Sequence, residues 1–259
     1  MENKRKGMSE IVSSKHYASD EEIAAYQKIY KMLAECPIPC TEMLANMGLF
    51  LNRSSLSHIL FIDSLYRRII NIHGVIIEFG VRWGRNLALL IDLRTIYEPY
   101  NYGRKIIGFD TFEGFPSVST FKNGIAEAVS VGALSVTPEY PTYLENLLSA
   151  HETLGPRSHI KKFELIKGDV VYTLESYLEK YPETIIALAY FDMDLYDPTK
   201  KCLEIIKNHV TKGSVLAFDE LGLHEFPGET LAFQEVFKST NYKICSDPNL
   251  AHQAFFVVE

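Results

Sequence analysis

From residue 75 onward, short apolar runs alternate with segments of helical period. Val75–Phe79, Lys105–Asp110, Phe163–Lys167, Ile185–Phe191 and Ser214–Phe218 are each brief and rich in β-branched or aromatic residues, and they read as buried strands. Between them lie helical segments. One places Leu87, Leu90 and Ile91 inward and runs to about Tyr97; others fall at about 139–153, at 170–180 and from Pro198 to Val210. Thr230 to Lys238 is a further helix, and Tyr242–Cys245 with Ala254–Val258 reads as an antiparallel terminal strand pair. Strand–helix alternation predicts a doubly wound α/β domain with a mostly parallel, seven-stranded sheet. Right-handed crossovers bring the strand C-termini to one edge. In open α/β sheets that edge binds ligands.

The first seventy residues carry a different pattern. Ser19-Asp20-Glu21-Glu22 has capping-box spacing, and a helix over about 20–35 follows. Leu56, Ile59, Ile62, Tyr66 and Ile69 recur at helical spacing and predict a second helix over roughly 54–72. The expected organisation is an N-terminal helical extension or lid over 1–72 and a single α/β domain over 73–259. Residues 1–18 are polar and are expected to be mobile. Phe112 to Pro138 is Gly-, Ser- and Thr-rich and too long for a simple connection, which marks it as a functional or mobile loop.

Charge and cysteine usage narrow the class. A net charge of -7 argues against a partner held through phosphate contacts, so no nucleic acid is expected. Nothing resembles a signal peptide, and no apolar run reaches membrane-spanning length. Cys36, Cys40, Cys202 and Cys245 lack a second metal-binding pair and read as reduced thiols of a cytoplasmic protein.

The candidate chemistry sits at the strand ends. Glu78-Phe79-Gly80-Val81-Arg82-Trp83-Gly84 is a strand turning into a helix through a glycine loop. It lacks the middle glycine of the dinucleotide pattern, and Glu78 would repel a pyrophosphate. Asp110 ends the second strand, where carboxylates bind ribose hydroxyls in doubly wound folds, and Asp169 follows Gly168 after the third. A nucleoside that carries positive charge satisfies this set: S-adenosylmethionine. Later in the chain, Asp192-Met193-Asp194 and Asp219-Glu220 end two parallel strands, where converging carboxylates require a cation or a proton between them. All-oxygen ligands point to Mg²⁺ or another hard divalent cation held by Asp192, Asp219 and Glu220. Asp192 or His224 is placed to take a proton from a hydroxyl. Asp194 reads as a cap for the helix at Pro198 or a loop support, and Tyr196 and Trp83 read as packing residues.

Glu78-x-Gly80-Val81-x-x-Gly84, Phe109-Asp110-Thr111-Phe112-Glu113-Gly114-Phe115-Pro116, Asp192-Met193-Asp194-Leu195-Tyr196 and Phe218-Asp219-Glu220 together resemble the macrocin O-methyltransferase family. The resemblance covers about residues 74–238. It implies a class I, Rossmann-like methyltransferase fold and a metal-dependent O-methyltransferase acting on a sugar, a nucleotide sugar or a glycosylated natural product. By resemblance Glu78 faces the methionine end of the cofactor, Asp110 the ribose and Asp169 the adenine region. Gly80, Gly84, Thr111, Gly168 and Asp192 complete the implied cofactor site. The chain departs from the family at Arg85-Asn86, where a small or hydroxylated residue is usual. It departs again at Glu220, which stands where the family tends to carry aspartate. A homo-oligomer paired through the helical extension is expected. The rival readings are a dinucleotide-dependent oxidoreductase and a non-catalytic cofactor-binding module. The glycine pattern and Glu78 count against the first, and the intact acids count against the second.

Overall fold

The computed structural model describes residues 19–116, 130–238 and 241–259. The expected mobility of residues 1–18 and the middle of the long loop lie outside that range. The chain divides into two compact units between Leu56 and Ser57. In the first unit, α1 (Asp20–Ala34) starts on the expected capping box, with both the Ser19 and Glu22 side chains engaged. α2 (Cys40–Met43) and a 3-10 segment (Leu44–Leu49) follow. None of these three elements has a buried residue.

α3 (Arg53–Ile69) crosses the division, and Asn52 accepts the Ser55 N–H at 2.8 Å at its start. Its Phe61, Ile62, Leu65, Tyr66 and Ile69 are all buried in the core of the second unit. That packing joins α3 from Ser57 onward to the second unit.

The strands are β1 (Val75–Phe79), β2 (Ile106–Asp110), β3 (Phe163–Lys167), β4 (Ile186–Phe191), β5 (Val210–Phe218), β6 (Cys245–Ser246) and β7 (Ala254–Val257). They form one seven-stranded sheet in the order β3-β2-β1-β4-β5-β7-β6. The first five are parallel, and β7 is antiparallel to both β5 and β6. The remaining helices are α4 (Arg85–Tyr97), α5 (Tyr140–Leu154), α6 (Val170–Lys180), α7 (Tyr196–Ile206) and α8 (Gly228–Phe237). α3, α4 and α5 cover one face of the sheet, where Ile76, Ile106 and Val215 point. α6, α7 and α8 cover the other, where Ile77, Phe79, Phe109, Phe191 and Phe218 point. Burial of both faces explains why the central strands are near-continuous apolar runs.

Two boundaries differ from the sequence expectation. α7 begins at Tyr196, two residues before Pro198, and ends at Ile206 rather than Val210. The chain then passes to β5 four residues before Ser214, because Val210 pairs with Ile186 and the Ile186 N–H donates to His209 O at 2.8 Å. A bulge follows: Thr211 N–H donates to Ser214 Oγ, and that hydroxyl donates to Ile186 O.

Buried charge fixes the end of the sheet opposite the strand C-termini. Arg104 donates to Ile69 O, Ile72 O and Gly74 O at 2.6–2.9 Å and pairs with Glu98 at 2.9 Å. It thereby holds the connection from α3 into β1. Arg94 and Lys162 both pair with the buried Glu152, at 2.7 and 2.5 Å. Among the described residues, no helix is long and apolar enough to cross a membrane. All four cysteines are unpaired.

Candidate active site at the carboxyl edge of the sheet

The residues that follow four of the strands are tied into a row. Gly80 N–H donates to Phe109 O, Gly168 N–H to Asp110 O, Asp192 N–H to Phe79 O and Asp219 N–H to Phe191 O, all at 2.8–3.0 Å. Gly80 has φ 88°, and a Cβ there would lie 1.8 Å from Asp192 O. Only glycine lets the ends of β1 and β4 approach so closely.

Asp110 anchors the glycine loop. Its Oδ2 accepts the Val81 and Arg82 N–H groups, both at 2.7 Å, and its Oδ1 accepts the Phe112 N–H at 2.5 Å. Those bonds hold two non-glycine residues at positive φ, Arg82 at 48° and Phe112 at 57°. Thr111 Oγ1 donates to Gly114 O at 2.7 Å and accepts the Glu113 N–H, which closes the next turn. Asp169 caps α6 by accepting the Val171 N–H at 3.0 Å. Gly84, with φ 74°, heads α4 against the Leu144 side chain, and Gly168, with φ 145°, packs on Thr173.

Glu78 is 1 % exposed. Its Oε1 accepts from Asn86 Nδ2 at 2.9 Å, while its Oε2 is buried without a hydrogen-bond partner among the described residues. Burial pushes its carboxyl up to about 8, against the opposing pull of Asn86 and Arg85.

The other half of the edge is a crowd of acids. Asp192 is held well above the usual carboxylate range by burial first, then by the charges of Asp219, Asp194, Glu229 and Glu78. Asp219 Oδ1 accepts from Tyr190 Oη at 2.7 Å and Gln253 Nε2 at 3.1 Å. Burial and a hydrogen bond shared with Asp194 push Glu220 up to about 12. Glu229, fully buried in the first turn of α8, accepts the Met193 N–H at 3.0 Å and the Glu220 N–H at 3.4 Å. One carboxylate thus clasps both acid-bearing loops. Burial and Asp194 push Glu229 up to about 8. Arg82 is the cation among these groups, and its charge acts on Asp192, Asp194 and Asp110.

No family profile and no curated protein sequence matches the chain. Solved structures do. A calicheamicin methyltransferase, CalS11, is 42% identical over 93% of this chain and 94% of its own, with a TM-score of 0.90. A second structure, described as the apo form of CalS11, TDP-rhamnose 3'-O-methyltransferase, is 40% identical over 93% and 96% of the two chains, with a TM-score of 0.82. The chain belongs to the macrocin O-methyltransferase family of class I enzymes. The O-methyltransferase NovP, 17% identical over 78% and 79% of the two chains with a TM-score of 0.59, shares the fold.

The enzyme is therefore an S-adenosylmethionine-dependent O-methyltransferase, and the oxidoreductase and non-catalytic readings fall away. In this methyltransferase Glu78, Gly80, Gly84, Asp110, Thr111, Gly168, Asp169 and Asp192 all line the one edge that the sequence places them on. Several carry structural bonds there that no motif reveals: Asp110 shapes the loop and Asp169 caps a helix. Asp194 caps nothing. α7 starts at Tyr196 with Leu195 as its N-cap residue, and Asp194, at φ 60°, shares a hydrogen bond with Glu220.

Asp192, Asp219 and Glu220 reach the same edge, but no group of three or more His, Cys, Asp or Glu side chains forms a metal-holding set among the described residues. Glu220, one methylene longer than aspartate, is turned to Asp194 instead. His224 lies exposed on the loop between β5 and α8. Tyr196 is buried, with its hydroxyl bonded to Glu235, and Trp83 packs edge-on against Tyr140, as packing residues do.

Sequence reasoning missed Glu229, Tyr190, Gln253 and Arg82. Each acts across elements that lie far apart in the chain, so no spacing signals it. A cavity of about 370 Å³ opens beside this acid half, lined by Leu221, Thr230, Phe233, Gln234, His252 and Gln253.

Proposed function

We propose that the enzyme methylates a hydroxyl of a sugar, borne on a nucleotide or a glycosylated natural product, and that a divalent cation at the acid edge assists it. The observation that carries this reading is the 40% identity, over nearly the whole of both chains, to a TDP-rhamnose 3'-O-methyltransferase. S-adenosylmethionine, when bound, supplies an electrophilic methyl on a cationic sulfur. Glu78, Gly80, Gly84, Asp110, Thr111, Gly168 and Asp169 would form its site, with the unpartnered Glu78 Oε2 facing its positive charge.

The donor chemistry at the acid edge fits a hard cation. It is all oxygen and crowded with like charge, and Glu220 Oε2 is a buried oxygen without a hydrogen-bond partner among the described residues. With Glu220 turned away from Asp194, Asp192, Asp219 and Glu220 would hold Mg²⁺ or a similar ion, which would supply Lewis acidity toward the acceptor hydroxyl. In the transfer, the hydroxyl oxygen gains the methyl, the carbon–sulfur bond breaks toward sulfur, and the hydroxyl proton leaves. Asp192, at the end of β4 where it approaches Gly80, is the group assigned to take that proton. The exposed His224 is the second candidate, and His224→Ala distinguishes them by its effect on kcat.

The cavity beside Asp219 is assigned to the acceptor, because Gln253 lines it and also donates to Asp219. Exposed Met32, Leu44 and Leu49 in the N-terminal unit support a homo-oligomer, which sedimentation will test. The expected site of action is the cytoplasm. Excess chelator should abolish methyl transfer and Mg²⁺ should restore it, with S-adenosylhomocysteine affinity unchanged. Full turnover in chelator would remove the metal from the account.

A further inference from the structure

Three elements outside the acid edge meet at Glu78 through a chain of hydrogen bonds. Arg85 Nη2 lies 3.3 Å from His58 Nδ1, His58 Nε2 lies 2.6 Å from Asn86 Oδ1, and Asn86 Nδ2 donates to Glu78 Oε1 at 2.9 Å. His58 belongs to α3, Arg85 and Asn86 open α4, and Glu78 is in β1. His58, Asn86 and Glu78 are 5 %, 3 % and 1 % exposed.

The donors and acceptors admit one polarity. Arg85 only donates, which makes His58 Nδ1 the acceptor and leaves the ring proton on Nε2, so the Asn86 oxygen faces His58 and its amide nitrogen faces Glu78 Oε1. Burial, followed by the Arg85 charge, lowers the His58 pKa and keeps the ring in that neutral form. All four side chains are thereby fixed in one arrangement. It ends on the Glu78 carboxyl group with one oxygen bonded and the other, Oε2, buried without a partner among the described residues. An oxygen left so is costly unless a ligand completes it.

We propose that His58 and Asn86 are positioning residues of the cofactor site. They set the Glu78 carboxylate so that Oε2, rather than Oε1, meets the positive charge of S-adenosylmethionine. The proposal rests on the reading of Glu78 as a cofactor ligand given above. The Asn86 amide is the link that reaches α3.

Calorimetric titration with S-adenosylmethionine and S-adenosylhomocysteine tests it. The variants are Glu78→Gln, Asn86→Leu, His58→Phe and His58→Gln, each with a thermal melt of the apo form. Glu78→Gln, Asn86→Leu and His58→Phe should each weaken S-adenosylmethionine binding by about tenfold or more, the scale of one hydrogen bond to a charged acceptor. His58→Gln, whose amide accepts from Arg85 and donates to Asn86, should return affinity to within about threefold of wild type, the remainder being imperfect geometry. Equal weakening by His58→Phe and His58→Gln would overturn the proposal in favour of packing alone. Loss in Glu78→Gln with wild-type binding in Asn86→Leu or His58→Phe would overturn the relay and leave Glu78 as a ligand. Wild-type affinity in Glu78→Gln would remove that ligand role and the relay with it. Should Asn86→Leu fail to fold, the His58 pair decides.

Discussion

Glu78 shows how one buried carboxyl links stability to binding. Its folded pKa, about 8, lies above the ordinary value of 4.5, so the folded apo enzyme holds the proton more tightly than the unfolded chain. Its contribution to stability is therefore fully present below pH 4.5 and is lost as pH rises through 8. Relative to wild type, apo Glu78→Gln should gain stability as pH rises from 4.5 to 8 and level off above. Urea titrations across that range will show this, and a difference independent of pH would contradict it. The same acid was visible in the sequence, because an acid ahead of a glycine loop is a chemical oddity in itself. Its partners were not: Asn86 is eight residues away and His58 twenty. Asp110 was legible as a strand-end acid, whereas its three backbone bonds to the loop were not, since backbone amides carry no residue label.

Elements bring the acid-bearing loops into register, and α8 does most of this. Glu229 in its first turn receives N–H groups from the loops after β4 and β5. Gly228 lets the helix start pack where a Cβ would sit 2.2 Å from Asp194 O. Glu229→Ala frees both loops, so kcat should fall by about tenfold or more, as expected for losing a bond to a charged acceptor. Affinity for S-adenosylhomocysteine should stay near wild type, because the Glu229 bonds run to the loops after β4 and β5 rather than to those after β1, β2 and β3. Steady-state kinetics paired with calorimetry will separate the two, and an unchanged kcat would show that the clasp is dispensable. The strands themselves were legible because both faces are buried and the runs are short. The ends of α7 and β5 were not: the bulge at Thr211–Ser214 is set by Ser214 bonding to a neighbouring strand.

At the scale of the molecule, the proposed cofactor half lies at the ends of β1, β2 and β3, and the acids gather at the ends of β4 and β5. The reaction is proposed where they meet, at the close approach of Gly80 to Asp192. That the strand C-termini share one edge was readable from the sequence, because parallel crossovers leave little freedom. The cavity proposed for the acceptor was not readable, since it is assembled from the loop after β5, α8 and the β6–β7 turn and has no contiguous sequence. The most direct test of the proposed activity incubates the enzyme with methyl-labelled S-adenosylmethionine, Mg²⁺ and a panel of nucleotide sugars and glycosylated natural products that includes TDP-rhamnose. The account predicts S-adenosylhomocysteine and an O-methylated sugar in equal amounts from at least one member, with both lost in Asp219→Ala. Tight cofactor binding with no methylated sugar from any member of the panel would contradict it.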